Sequence, residues 1–313
     1  MKILSPVDRP EEVQLLAQAG AHELYGGVQP DTWAGRLLSA SQRSFASAHF
    51  PSEDSLAEAA AEAKSLGIPV HLTLNAPLYD PADYPELLGL AERAAAWGAA
   101  GLILGDLGLL LRVRDAALPL EITLSILAGA GNRHSLGFFR RFGISRAVFP
   151  RHLTLAEMER VVRDYPDVGF EALALVGMCP NEEAFCTFQH VSPSKRWPCE
   201  IDYDLTGEEG GPLAADHPLA SWHGSWRSAD RRLACGLCAI PELEHMGVRT
   251  LKLVGRGGPT AGKVANVRVV ADLLDAPRSR EATRGAYADR FGRPCHRLTC
   301  YFPELHRDEP QKA

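Results

Sequence analysis

The feature that most limits the fold is a regular alternation of short apolar runs with amphipathic helical patterns. Apolar strands separated by helices indicate parallel strands joined by crossover helices. The sequence predicts eight strands, near 3–6, 22–26, 69–74, 101–105, 121–126, 146–150, 170–176 and 250–254. Eight such units in a chain of 313 residues predict an α/β fold, a (β/α)8 TIM-barrel-like single domain.

A doubly wound open sheet is the alternative architecture. Its dinucleotide-binding version carries a G-x-G-x-x-G motif after the first strand. The first predicted strand is followed by "PVDRPEEV", which has no such motif. The barrel is therefore the favoured prediction.

One connection is far longer than the others. Strand seven ends near residue 176, and the next clear helical pattern begins near residue 239. Connections of this length are usually functional or disordered, but Trp197, Trp222 and Trp226 make disorder unusual here. We predict a barrel domain over 1–275 that includes a Cys-rich insertion, 177–238, and a C-terminal tail, 276–313, with its own cysteine pair.

Charge and hydropathy exclude several classes of protein. The net charge is -6, and no block of basic residues predicts a broad nucleic-acid-binding surface, although a local basic site remains compatible. No apolar run is long enough to span a bilayer, and "MKILSPVDRP" lacks the apolar region of a signal peptide. These features predict a cytoplasmic protein without a membrane span.

All seven cysteines lie after residue 178. Five fall in the insertion, where buried thiolates would need a compensating charge such as a metal. Zinc favours two closely spaced pairs of cysteines, and the insertion has only one such pair. An iron–sulfur cluster, in contrast, accepts four thiolates that are dispersed along the chain. Reduced cysteines buried in a loop are the alternative. The five are Cys179, Cys186, Cys199, Cys235 and Cys238.

The segment "GRGGPTAGKV" has the spacing of a P-loop, Gly257-x4-Gly262-Lys263. Val264 replaces the hydroxyl residue that would bind Mg²⁺, and Pro259 removes a backbone donor from the loop. Nucleotide hydrolysis is therefore disfavoured. A glycine-rich loop before a helix could still bind an anion near the last strand.

Polar residues follow several predicted strands, on the face where barrel enzymes place their active sites. Arg151 and His152 follow strand six, Asp106 follows strand four, and Asn75 follows strand three. Each could equally be a helix cap or a loop ligand. No G-x-S-x-G motif identifies a nucleophilic serine.

Several segments resemble the collagenase-like peptidase U family. "FEALALVGMCPNEEAFCTFQH" is similar to its cysteine signature, with Glu171 preceding the first two cysteines. "IPELEHMGVRTLKLVGR", 240–256, is similar to a second signature, with Val254 where the family usually has Glu. The segments 132–158 and 19–27 are similar to its central and opening regions, so the resemblance covers residues 1 to about 275.

The resemblance implies a function and a cofactor. Family members in ubiquinone biosynthesis and RNA modification support oxygen-independent hydroxylation, and in some of them four cysteines hold a [4Fe-4S] cluster, with prephenate as the implicated hydroxyl donor. By similarity, Cys179, Cys186 and Cys199 are three ligands, and Cys235 or Cys238 is the fourth. The residues expected to serve catalysis are Arg151, His152, Lys252 and Arg256.

The leading hypothesis is an iron–sulfur protein that hydroxylates an aromatic small molecule or an RNA base, alone or with a paralogous heterodimer partner. A peptidase acting on a peptide is one alternative, and a non-catalytic cluster-bearing partner subunit is another. A further pair, Cys295-x4-Cys300, either caps the barrel or forms an auxiliary site.

Overall fold

The computed structural model confirms the predicted barrel. Eight parallel strands pair in sequence order, and β1 pairs with β8 to close the ring. The structure describes residues 1–33, 40–42, 46–179, 182–186, 204–207, 210–217, 219–220, 232–276 and 279–306. Most of the Cys-rich insertion, including Cys199 and the three tryptophans, lies outside these residues. Among the described helices, none is long and apolar enough to cross a membrane.

The strands occupy the predicted positions. They are β1 Lys2–Pro6, β2 Glu23–Gly26, β3 Val70–Leu74, β4 Gly101–Leu104, β5 Glu121–Leu124, β6 Arg146–Val148, β7 Gly169–Leu175 and β8 Thr250–Leu253. Their residues are almost all buried, as expected for parallel strands covered by helices on one face and packed inside the barrel on the other.

Helices follow the strands and cover the outside of the barrel. They are α1 Glu12–Gln18, α2 Glu53–Ser65, α3 Tyr84–Trp97, α4 Leu107–Asp115, α5 Arg133–Arg140, α6 Leu155–Asp164, α7 Ile240–Met246, α8 Thr260–Asp275 and α9 Arg280–Phe291. Side chains fix several of their starts: Ser52, Asn132 and Thr154 each accept a hydrogen bond from a backbone N–H in the first turn.

Charged side chains fill the amino-terminal end of the barrel interior. Glu23 accepts hydrogen bonds from Lys2 (2.6 Å) and Arg146 (2.5 Å), and Nε2 of His71 lies 3.5 Å from its carboxylate. Arg146 also reaches Glu171 at 3.3 Å. Burial alone would raise the pKa of Glu23, but these hydrogen bonds lower it well below its usual value. The network therefore lies inside the barrel, at the end opposite the carboxyl ends of the strands.

The C-terminal segment packs against the start of the Cys-rich insertion. Backbone bridges join Leu175 to Cys235 and Cys235 to Cys300. The hydroxyl of Tyr301 donates to the carbonyl oxygen of Gly177 (2.8 Å), just beyond β7. Residues near both ends of the insertion and the C-terminal segment are therefore held together at the carboxyl end of the barrel.

Candidate functional site

A cavity of about 370 Å³ opens at the carboxyl ends of the strands, the face that barrel enzymes use. Its lining combines cations, hydroxyl groups, apolar side chains and two thiols. Residues that carry the argument below are Tyr25, Thr73, Asn75, Arg151, Cys179, Glu183, Cys186, Lys252 and Arg256.

Lys252 projects from β8 into the barrel interior. Its ammonium group lies 2.8 Å from the carboxylate of Glu171 and 4.5 Å from the ring centre of Tyr25. Burial lowers the pKa of Lys252, and the negative charge of Glu171 opposes that shift. The Lys252 ammonium therefore places a positive charge, partly neutralised by Glu171, at the bottom of the cavity.

Arg256 follows β8 and is also buried. Its guanidinium donates to the hydroxyl oxygens of Ser41 and Thr73, the latter at 3.0 Å, and to the carbonyl oxygen of Ser41 at 3.1 Å. These contacts fix the planar group in one orientation, which suits recognition of a carboxylate or phosphate.

Arg151 and His152, adjacent in the chain, point to different partners. Arg151 lines the cavity, donates to Glu183 at 2.7 Å and lies over the ring of Tyr301 at 5.5 Å. Burial alone would lower the pKa of Arg151, but Tyr301 and Glu183 raise it. His152 is half-exposed, pairs with Glu182 at 2.7 Å and lies in a neighbouring pocket. Of the predicted catalytic residues, the main cavity therefore collects Arg151, Lys252 and Arg256.

His152, Glu182 and Glu183 place three ligand atoms within 4.8 Å of one another, in the part of the chain that the structure describes. Glu183 already pairs with the guanidinium of Arg151, and His152 is half-exposed. A cation there would compete with an existing ion pair.

Cys179 and Cys186 both line the cavity. The backbone carbonyl oxygen of Cys186 accepts a hydrogen bond from Gln42 at 2.5 Å, which ties the short helical turn Glu183–Phe185 to the segment after β2. The first two predicted metal ligands therefore lie beside the three cations. Cys199, the third, lies outside the described residues.

Cys235 and Cys238 lie elsewhere at the same end of the barrel. Both are buried, and Cys235 forms its backbone bridge with Cys300. Neither lines the cavity that Cys179 and Cys186 share. The chemistry of the donors fits a thiophilic metal at both places, but the described residues do not assemble the four-thiolate set implied by the resemblance.

The glycine-rich segment that resembles a P-loop is bound by carboxylates of the protein itself. The N–H of Gly257 donates to the carboxylate of Asp8 at 2.6 Å, and the ammonium of Lys263 contacts Asp8 and, at 2.8 Å, Glu12. All three side chains are buried. The groups that would hold a phosphate in a P-loop are thus engaged by two carboxylates.

The two remaining strand-end residues, Asp106 and Asn75, differ in their contacts. Asp106 caps α4 by accepting from the N–H of Leu109 at 2.7 Å, which is the helix-cap alternative. Asn75 lines the cavity, and its amide oxygen is buried without a hydrogen-bond partner among the described residues.

Sequence reasoning missed Ser41, Thr73, Glu183 and Tyr301. Thr73 lies at the end of a predicted strand, a signal that could have identified it. Glu183 falls inside the cysteine signature, so its place in the sequence could have identified it as well. Nothing in the sequence around Ser41 or Tyr301 marks them as partners of arginines so distant along the chain.

Comparisons with known proteins identify the family of this chain. The model of Peptidase family U32 matches residues 8–300. The chain is 24% identical over 287 residues to tRNA hydroxylation protein P1 of Bacillus subtilis, an alignment covering 88% of this chain and 63% of that protein. It is 26% identical over 125 residues to tRNA hydroxylation protein P of Escherichia coli, covering 40% of this chain and 27% of that protein.

The chain thus spans less than two thirds of the length of these curated relatives. Among solved structures, the U32 peptidase Mk0906 superposes with a TM-score of 0.54 at 12% identity, covering 83% of this chain and 94% of that one, which shows the common fold. Because the family model matches nearly the whole chain, this protein belongs to peptidase family U32.

Proposed function

We propose that this protein supports the oxygen-independent hydroxylation of a base in RNA, with an iron–sulfur cluster as its cofactor. The observation that carries the proposal is the shared cavity, where Cys179 and Cys186 lie beside Arg151, Lys252 and Arg256. The names of the two curated relatives, both tRNA hydroxylation proteins, support RNA as the substrate class.

The cavity has the polarity that such a substrate needs. Tyr25 and apolar side chains such as Ile103 and Leu173 provide a surface for a ring, and the buried amide oxygen of Asn75 offers an acceptor for a ring N–H. The fixed guanidinium of Arg256 and the ammonium of Lys252 suit the carboxylates of a hydroxyl donor such as prephenate. The net charge of -6 argues for a local contact with RNA and against a broad one.

In this proposal Cys179, Cys186 and Cys199 supply three thiolates to the cluster. When bound, a cluster would exchange single electrons with the bound substrate or donor. A fourth thiolate from Cys235 or Cys238 stays a prediction of the resemblance, because neither residue lines the cavity that Cys179 and Cys186 share. The protein's own side chains then have two tasks: Arg256 and Lys252 bind the donor, and Arg151 positions the loop carrying Glu183.

The test combines metal analysis with nucleoside analysis. Protein purified without oxygen is expected to contain iron and sulfide and to give an electron paramagnetic resonance signal on reduction. Cys179→Ser and Cys186→Ser should lose the iron. Cys295→Ser, outside both the insertion and the cavity, is the matched control and should retain it.

Transfer RNA from cells lacking the protein should lose a nucleoside that is one oxygen heavier than its parent, by mass spectrometry. Wild-type protein should restore that nucleoside, and Arg256→Met should not. Colourless anaerobic protein without iron, or iron-free protein that cleaves gelatin, would contradict the proposal; the second outcome would support the peptidase alternative.

A further inference from the structure

Positive charge is concentrated in one part of the chain. The stretch from the start of α4 to the end of α6, residues 107–164, contains nine arginines, no lysine and five acidic residues. Its net charge is therefore +4, and that of the remaining chain is -10. Seven of the nine arginines are exposed. Such an asymmetry in an acidic protein indicates a local surface for a polyanion.

Acidic partners neutralise only some of these exposed arginines. Arg140 pairs with Asp167 at 2.7 Å, and Arg114 pairs with Asp115 at 2.6 Å. Arg141 has no ion pair within the described part of the chain, and its guanidinium lies over aromatic rings instead. The positive charge of Arg141 is therefore available to an external anion.

Two arginines and two phenylalanines form a cluster between α4 and α5. We call Arg114, Phe138, Arg141 and Phe142 the arginine–phenylalanine patch. The guanidinium of Arg141 lies 4.9 Å from the ring centre of Phe138 and 5.9 Å from that of Phe142. The guanidinium of Arg114 lies 5.7 Å from the ring centre of Phe142. The two rings meet edge to face, with 5.0 Å between their centres.

The patch offers the two kinds of contact that unpaired RNA needs. The Phe138 side chain is 39% exposed, although it is large and apolar. Aromatic rings and guanidinium planes are the groups on which proteins stack unpaired bases, and guanidinium groups also pair with phosphates. Arginine suits both contacts better than lysine does, because its charge is spread over a planar group.

Helix α5 connects the patch to the cavity. Residues 125–127 line the cavity, and α5 begins soon after them at the exposed Arg133. A Cβ on Gly131 would lie 3.6 Å from the ring of His152, which lines the neighbouring pocket. The eight residues of α5 rise about 12 Å toward Arg141, a distance that a few nucleotides can span.

We propose that the arginine–phenylalanine patch binds a single-stranded segment of the RNA whose target base enters the cavity. The inference rests on the proposed function, since it takes RNA as the substrate class. An unpaired base stacks on Phe138, and the guanidinium groups of Arg141 and Arg114 pair with neighbouring phosphates. The negative charge of the remaining chain confines RNA to this side of the barrel.

The experiment measures binding of end-labelled transfer RNA, prepared from cells lacking the protein, by fluorescence anisotropy at several salt concentrations. Arg114→Gln/Arg141→Gln should weaken binding at least about tenfold. It should also lower the slope of log K against log salt by about 1.4, because two phosphate contacts are lost. Phe138→Ala should weaken binding about tenfold without changing the slope, because it removes stacking and no charge. Arg268→Gln, at an exposed position of α8, is the matched control and should bind like wild type.

Wild-type affinity in both patch variants, with circular dichroism spectra showing that they fold, would overturn the proposal. Failure of wild-type protein to bind transfer RNA would overturn it too, as would equally tight binding of a fully double-stranded RNA. If Phe138→Ala turns an oligomer into a monomer in sedimentation and keeps its affinity for RNA, the patch is an interface between copies of the chain and the proposal is wrong.

These results are separable from the proposed hydroxylation. Iron-free protein that hydroxylates no nucleoside, but whose binding of transfer RNA depends on the patch, would contradict the hydroxylation and support the patch. Protein that restores the hydroxylated nucleoside, and whose two patch variants bind transfer RNA like wild type, would contradict the patch alone.

Discussion

Lys252 and Glu171 form an ion pair inside the barrel, with 2.8 Å between the ammonium nitrogen and a carboxylate oxygen. Both side chains are buried, and the carboxylate also accepts from Arg146 at 3.3 Å. The pair joins the charged network at the amino-terminal end of the barrel to the cavity at the carboxyl end. A change at either residue should therefore affect stability as well as ligand binding.

Lys252→Met should lower the free energy of unfolding by about 3 kcal/mol, because it leaves a buried carboxylate with one cation in place of two. Adding Glu171→Gln should recover part of that loss, since no uncompensated charge then remains. Urea denaturation of wild type, the two single variants and the double variant measures this. Arg93→Met, at an exposed pair with Glu53, should cost less than about 1 kcal/mol. A double variant that loses the sum of both single changes would contradict the coupling.

Glu23 should contribute to stability in a pH-dependent way. Burial alone would raise the pKa of Glu23, but its contacts with His71, Arg146 and Lys2 hold that pKa below the ordinary value of 4.5 in the folded protein. Its contribution is therefore complete above pH 4.5 and is lost as the pH falls toward the folded-state pKa. Glu23→Gln should be about 3 kcal/mol less stable than wild type at neutral pH. That difference should shrink in urea titrations below pH 4.5; a constant difference would show that the charge of Glu23 is not responsible.

The barrel could be predicted from the sequence because the patterns that indicate it lie in short stretches of the chain. Each strand is a short apolar run bounded by helix patterns, and crossover helices require parallel pairing, so eight runs determine the ring. Arg151, Lys252 and Arg256 were found for a similar reason, since the ends of parallel strands meet at one end of a barrel. His152, adjacent to Arg151, instead turned to Glu182 outside the cavity.

The partners of those cations depend on contacts between distant segments. Ser41 precedes Arg256 by 215 positions, and no local pattern relates the two. The same is true of Cys300 and Cys235, which only the closed barrel and the return of the C-terminal segment bring together. The sequence revealed the cysteine pairs and their spacing, but the pairing between them required the fold.

Lys263 should act in stability and not in nucleotide binding. Its ammonium neutralises the buried carboxylates of Asp8 and Glu12, so Lys263→Met should lower the free energy of unfolding by about 3 to 5 kcal/mol. Magnesium–ATP should not raise the melting temperature of wild-type protein in a thermal shift measurement. Lys64→Met, at an exposed position of α2, is the control and should change little. A rise in melting temperature with ATP that Lys263→Met abolishes would support a working P-loop.

Gly27 should control the binding site through the partners of Arg256. A Cβ at this position would lie 2.2 Å from the hydroxyl oxygen of Ser41 and 2.6 Å from that of Thr73, so Gly27→Ala must displace the two groups that orient the guanidinium. If prephenate is the donor, as proposed, the loss of an oriented charge-assisted hydrogen bond should weaken its binding at least about tenfold by calorimetry. Gly285→Ala, in α9 with no atom within 4 Å of the added Cβ, should bind like wild type and be slightly more stable. If Gly27→Ala folds, by its circular dichroism spectrum, and binds prephenate with wild-type affinity, Ser41 and Thr73 do not position Arg256 for the donor.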